Sequence, residues 1–97
     1  MSKNRPSNGA VKQELFLRCG KVDMYDMKKY EGKTLVLHHE PPYRQTHHTI
    51  YEESYLLSEK NHIDLHNLEF NNHEEYERRM EIIKENKKIL ERTKNKC

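Results

Sequence analysis

The sequence predicts an α+β fold, with a small strand, loop, strand and helix core followed by a long C-terminal helix. Two short apolar runs, Lys33–His39 and Glu53–Leu57, predict strands because both are rich in leucine and in β-branched or aromatic residues. The polar, proline-led segment between them predicts an irregular loop. Ser58 then predicts the N-cap of a helix over residues 59–70, and apolar residues at helical spacing predict another helix over residues 74–94.

Composition limits the chain to one small domain with a thin core. Of its 97 residues, 33% are hydrophobic and 35% are charged, so bound metal or a partner is expected to add stability. The 18 basic and 16 acidic residues give a formal charge of +2, so any contact with DNA must rely on local basic patches. No stretch is apolar enough for a bilayer span or a signal peptide, and we expect a soluble, cytoplasmic protein with no membrane partner.

Three regions follow one another along the chain. Residues 1–10 are polar and predict a flexible N-terminal arm. Residues 11–70 hold the core, and residues 71–97 predict an amphipathic helix that packs on the domain or on a partner. The apolar stripe of this helix fits ordinary packing and also homodimerisation, and it consists of Tyr76, Met80, Ile83 and Leu90, with Ile82 and Ile89 alongside.

The first part of the core has a weaker pattern. Val11–Arg18 fits a short strand and one helical turn equally well, so its type stays open. Asp23–Tyr30 predicts a short helix, with Asp23 as its cap and Gly32 as its stop. That helix would turn Met24, Met27 and Tyr30 inward.

Two pairs of histidines carry most of the chemical information. His38 and His39 end the first predicted strand, and His62 and His66 lie four residues apart on the following helix. Residues four apart share one helix face, so the second pair can bind a single ion. A third ligand from the strand would leave a position open for water or a phosphate oxygen. Because strand neighbours point to opposite sides, one of His38 and His39 should bind metal and the other should face the substrate.

The segments TLVLHHEPP, ESYLLSEK and NHIDLH, which lie within Thr34–Leu68, resemble the HNH nucleases and are most similar to the colicin-type DNase branch. The resemblance implies a ββα-metal fold around one divalent ion (Zn, Ni, Mn, Co or Mg), and imidazole ligands favour the first four over Mg. It implies that His38, His62 and His66 bind the ion. It also implies that His39 is the general base for water attack on a DNA phosphodiester, leaving a 5′ phosphate and a 3′ hydroxyl. By analogy the chain would be a stand-alone, phage-encoded protein acting in a bacterial host cell.

Other side chains receive roles from their place beside these motifs. Arg44 and Lys60, with Lys33, are candidates for binding the phosphodiester. Glu53 stands where HNH proteins usually have asparagine, and it is expected to accept a hydrogen bond from the ring N–H of His39 and so orient that base. His47 and His48 are expected to be solvated loop residues. The paired cysteines that bind a second, structural zinc in many relatives are absent from the sequence.

Two alternatives from other functional classes stay open. The first is a weakly active or inactive HNH-like scaffold that binds a protein or nucleic-acid partner, which Glu53 and the modest net charge favour. The second is a structural zinc module unrelated to nucleases, which predicts four protein ligands and no open position on the metal.

Overall fold

The computed structural model describes residues 8–40, Gln45 and residues 49–94. Within these ranges the chain forms three α-helices and a two-stranded antiparallel sheet, which confirms the predicted α+β fold and its long C-terminal helix. The elements follow in the order α1 (Asn8–Cys19), β1 (Leu35–His39), β2 (Ser54–Ser58), α2 (Glu59–Asn71) and α3 (His73–Lys94), with single 3₁₀ turns at Gly32–Thr34 and Tyr51–Glu53. None of these described helices combines the length and the apolar character that crossing a membrane requires.

The hairpin of β1 and β2 separates the two adjacent histidines. His38 pairs with Tyr55, and His39 pairs with Ser54. Because side chains alternate along a strand, His38 and Tyr55 lie on one face of the hairpin and His39 and Ser54 lie on the other. All five residues of β2 are buried. The hairpin therefore presents one histidine to each of its faces, as the sequence predicts.

The segment whose type the sequence leaves open, Val11–Arg18, is helical and lies within α1. Val11, Leu15 and Cys19 recur every four residues and are buried together in the core. Gly20 ends the helix in a left-handed conformation, with φ 86°, and its N–H donates to the carbonyl of Phe16 at 2.9 Å. The predicted flexible arm is partly wrong, because residues 8–10 belong to this helix. The remainder of that arm, residues 1–7, lies outside the described residues.

The predicted helix at Asp23–Tyr30 is wrong. The segment instead makes a tight turn closed by an antiparallel bridge between Val22 and Lys29, with Met27 in the left-handed region at φ 62°. The carboxylate of Asp23 accepts the backbone N–H of Tyr25 at 2.6 Å, as a helix cap would, but its other oxygen accepts the distant N–H of Ser58, and this second contact favours a turn over a helix. Of the three side chains predicted to face inward, Met24 is buried, Tyr30 is half-buried and Met27 is exposed.

Asp23 also fixes the start of α2. Its second carboxylate oxygen accepts the backbone N–H of Ser58 and the side-chain amide of Asn61, each at 2.8 Å. Ser58 is the predicted N-cap, and its side chain accepts the N–H of Asn61. The helix ends at Asn71, where Asn72 interrupts it as predicted. A fully buried acidic residue thus holds in place the helix that carries two of the predicted ligands.

Replacing Asp23 by asparagine is expected to lower the free energy of unfolding by about 1–3 kcal/mol, because an amide cannot accept all of these donors and a buried unpaired donor is costly. Urea denaturation followed by circular dichroism measures the change. Asp64→Asn, at an exposed position of α2, is the matched control. Equal unfolding midpoints for the two variants would contradict the role assigned to Asp23.

Helix α3 packs on the rest of the described chain. Tyr76, Met80 and Ile83 are buried in the same cluster as residues of α1, β2 and α2, whereas Ile82 and Ile89 are exposed. The Lys87 ammonium is buried beside this stripe and donates to backbone carbonyls at the start of β2. The structure therefore confirms packing on the domain, and a partner bound through this helix stays a prediction.

Candidate metal centre

Three histidines converge where the end of β1 meets α2. The ring centre of His38 lies 5.5 Å from that of His62 and 5.7 Å from that of His66. His62 and His66 are one helical turn apart, and their ring centres are separated by 4.5 Å. One nitrogen of each ring lies within 4.8 Å of the other two, so these residues could hold a metal ion. The structure brings together all three predicted ligands.

The spacing of the ring nitrogens suits a transition metal. The Nε2 atoms of His62 and His66 are 3.2 Å apart. Two nitrogens that share a tetrahedral zinc ion are about 3.3–3.4 Å apart, given a Zn–N distance of about 2.0–2.1 Å. Imidazole suits Zn, Ni and Co, whereas Mg prefers oxygen ligands and keeps its waters. The donor set therefore fits one divalent transition-metal ion.

Electrostatics favours neutral rings in this cluster. Burial, followed by the nearby His62, His66 and His39, lowers the pKa of His38 to about 3. Burial and then the proximity of His66 and His39 also lower the pKa of His62. Metal binding requires an unprotonated imidazole. At pH 7 neither His38 nor His62 has to lose a proton before a cation binds.

Two ligands also contact polar groups around the cluster. The Nε2 atom of His38 lies 3.1 Å from the hydroxyl of Tyr76, and that hydroxyl donates to Glu40 at 3.0 Å. The Nδ1 atom of His66 lies 3.5 Å from Oε1 of Glu69, on the side of the ring away from His62. Metal-bound histidines usually donate their second ring N–H to such oxygen atoms, which fixes the ring orientation.

Solvent reaches the cluster from the side of α2. His38 is only 3% exposed, whereas the side chain of His66 is 43% exposed and His62 is half-buried. An ion held by the three rings would therefore have protein on the His38 side and water on the other. Three protein ligands with one solvent-facing side match an open metal site rather than a closed structural one.

His39 directly follows His38 in β1 and lies on the opposite face of the hairpin. A charge on its ring would lower the pKa of both His38 and His62. Its Nε2 atom is 3.3 Å from the hydroxyl oxygen of Thr49. That hydroxyl donates its only hydrogen to Oδ1 of Asn8 at 2.6 Å, so it accepts from His39. Nε2 of His39 therefore carries a hydrogen, which it donates to Thr49.

The other predicted site residues are less closely tied to the cluster. Glu53 ends a 3₁₀ turn, and its carbonyl accepts the N–H of Glu40 at 3.0 Å, so the two strand ends are joined there. Its predicted hydrogen bond to His39 stays a prediction.

Lys60 is exposed on α2, about 160° around the helix from His62, so its phosphate role also stays a prediction. Arg44 lies outside the described residues, as do His47 and His48.

Three neighbours of the ligands are not predicted from the sequence: Glu40, Glu69 and Tyr76. Glu69 had a detectable signal, because it lies three residues after His66 and so shares its helix face. Tyr76 had no such signal, since it is separated from His38 by 38 positions and fits the apolar stripe of the C-terminal helix as an ordinary packing residue. Only the packing of α3 against the hairpin brings the two together.

Models of known protein families, curated proteins and solved structures were all compared with the chain, and none of them matches it. Membership of the HNH family therefore remains a prediction from the three sequence segments that resemble it. What the cluster does is inferred from its own geometry and chemistry.

Proposed function

We propose that this chain is a metal-dependent endonuclease of the HNH type that hydrolyses DNA phosphodiester bonds. One observation carries the proposal: three imidazoles from a β hairpin and the following helix converge within 4.8 Å, on a side that solvent reaches. A fourth imidazole, that of His39, directly follows the ligand His38 in β1. Three ligands plus a nearby base is the arrangement expected for hydrolysis at an open metal site.

In this proposal His38, His62 and His66 hold the ion, and Glu69 orients the ring of His66. When bound, a divalent cation supplies Lewis-acid stabilisation of the charge on the phosphate and on the leaving 3′ oxygen. The choice of DNA as substrate rests on the resemblance to HNH nucleases, and the donor set favours Zn, Ni, Co or Mn over Mg.

His39 is the proposed general base. Thr49 accepts its Nε2–H and is itself held by Asn8, so these two contacts orient the ring. The imidazole of His39 takes one proton from a water molecule as the water oxygen bonds to phosphorus and the bond to the 3′ oxygen breaks. The products carry a 5′ phosphate and a 3′ hydroxyl once the leaving oxygen is protonated.

Metal-stripped protein is expected to leave supercoiled plasmid DNA intact and to convert it to nicked and linear forms when a suitable divalent ion is added. Gel electrophoresis after incubation with Mg, Mn, Co, Ni or Zn measures this. His66→Ala removes one of three ligands and is expected to abolish cleavage with every ion. Asn67→Ala, at an exposed position on the same helix as His66, is the matched control and is expected to cut like the parent.

Two outcomes separate this function from the alternatives. If ions raise the melting temperature of the parent protein but none supports cleavage of DNA or RNA, the chain is a metal-stabilised binding scaffold rather than a nuclease. If His66→Ala cuts as fast as the parent, the three-histidine site is not responsible for the activity.

A further inference from the structure

The hydroxyl of Tyr76 lies between a proposed metal ligand and a carboxylate. It is 3.1 Å from Nε2 of His38, and it donates to Oε1 of Glu40 at 3.0 Å. Tyr76 is 2% exposed and belongs to the first turns of α3, so the contact joins the hairpin to a helix outside the ββα unit. The rings of Tyr76 and His38 also pack edge to face, with centres 6.1 Å apart.

The direction of these hydrogen bonds fixes the proton on His38. A phenol has one hydrogen, and the hydroxyl of Tyr76 gives it to Glu40. Toward His38 the same oxygen can therefore only accept, so Nε2 of His38 carries the ring hydrogen. The lone pair then lies on Nδ1, which is the only atom of this ring left to bind a cation. His62 and His66, by contrast, turn their Nε2 atoms toward one another.

We propose that Tyr76 and Glu40 are positioning residues of the metal centre, which hold His38 in the tautomer and orientation that leave Nδ1 free for the ion. This inference rests on the metal binding proposed above. Glu40 acts through Tyr76. If the carboxylate is removed, the phenol can donate to Nε2 of His38, and the ring hydrogen then moves to Nδ1, where it blocks metal binding. Loss of such outer contacts typically lowers metal affinity about 10–100-fold.

A zinc competition titration tests the proposal, together with the visible absorption of the Co²⁺-loaded protein, which reports the ligand set directly. Tyr76→Phe keeps the buried ring and is expected to lower zinc affinity about 10–100-fold. Glu40→Ala is expected to lower it similarly, although this residue does not contact the ring of His38 in the proposed relay. Glu40→Gln retains a side-chain oxygen that accepts from Tyr76, and we expect it to keep most of the affinity.

The double variant Tyr76→Phe, Glu40→Ala distinguishes a relay from two independent effects. If Glu40 acts through the phenol, the double variant binds zinc no more weakly than Tyr76→Phe alone. Tyr55→Phe is the matched control, because Tyr55 lies directly opposite His38 in the hairpin and is also buried. It is expected to bind zinc like the parent. Melting temperatures of the metal-free variants show that each one is folded.

Each contrary outcome has a separate meaning. If Tyr76→Phe and Glu40→Ala both bind zinc as tightly as the parent, the positioning role is overturned and the metal site stands. If the two single losses multiply in the double variant, Glu40 does not act through Tyr76 and the relay is overturned. If the parent protein binds none of the divalent ions, the proposed function and this inference both fail.

Discussion

Replacing His39 by alanine is expected to lower metal-dependent DNA cleavage about 10²–10⁴-fold, which is the usual contribution of a general base. The fold and the metal affinity should be retained, because His39 lies on the other face of the hairpin from His38 and is not one of the three converging ligands. Plasmid nicking at saturating metal measures the rate, and zinc titration of the same preparation measures the affinity.

Added imidazole sharpens this test. The small cavity left by the missing ring can admit free imidazole, and partial recovery of cleavage in the His39→Ala variant would identify the lost group as a base. His39→Ala should bind zinc equally well with and without imidazole, because the imidazole then replaces a base rather than a metal ligand. Cleavage by His39→Ala at the parental rate would refute the role of His39, and loss of zinc binding would show that His39 is a ligand.

The hairpin and the two later helices are predictable because local signals agree with the final packing. Apolar runs bounded by proline and polar residues predict β1 and β2 to within about two residues. Ser58 caps α2 and Asn72 interrupts the chain after it, and both residues act through contacts within one helical turn. Elements whose ends are determined by neighbouring residues can be predicted from sequence alone.

The prediction for the segment between α1 and β1 is wrong for the opposite reason. Aspartate is a residue type that commonly caps helices, so Asp23 predicts a helix start. Two of its hydrogen bonds, however, go to residues more than 30 positions away, Ser58 and Asn61. Those distant donors decide that the carboxylate faces inward and that the chain turns. A local pattern could not reveal them, so the predicted helix was wrong.

The candidate site divides in the same way. The histidine pair on α2 is predictable from helical periodicity, and the choice of His38 over His39 as the ligand follows from strand alternation together with the quoted resemblance. The contacts of Tyr76 and Thr49 with these rings depend on how α3 and Thr49 lie against the hairpin. Local sequence patterns therefore predict the residues that meet within the ββα unit, but not those that reach it from other elements.

Without metal, the protein is expected to lose stability as the pH falls from 7.5 to 4, chiefly because of His38. The folded pKa of His38 is about 3, below the ordinary value of 6.5, and the first cause is burial. Between these two values the unfolded chain binds a proton that the folded chain does not, so stability is complete above pH 6.5 and declines toward pH 3. At about 1.4 kcal/mol per pH unit, the loss is about 2 kcal/mol at pH 5 and about 3 kcal/mol at pH 4. The lowered pKa of His62 acts in the same direction.

Urea denaturation of the parent and of His38→Gln, in the presence of a chelator and at a series of pH values, isolates this contribution. Glutamine does not titrate in this range, and its side-chain amide can donate to Tyr76 as the ring does. Subtracting the two curves removes the carboxylates that both proteins share. The difference should therefore grow steadily below pH 6.5, with the parent losing stability faster than His38→Gln. Parallel curves for the parent and His38→Gln would mean that His38 is not held neutral by the fold, and the buried imidazole cluster described above would then be wrong.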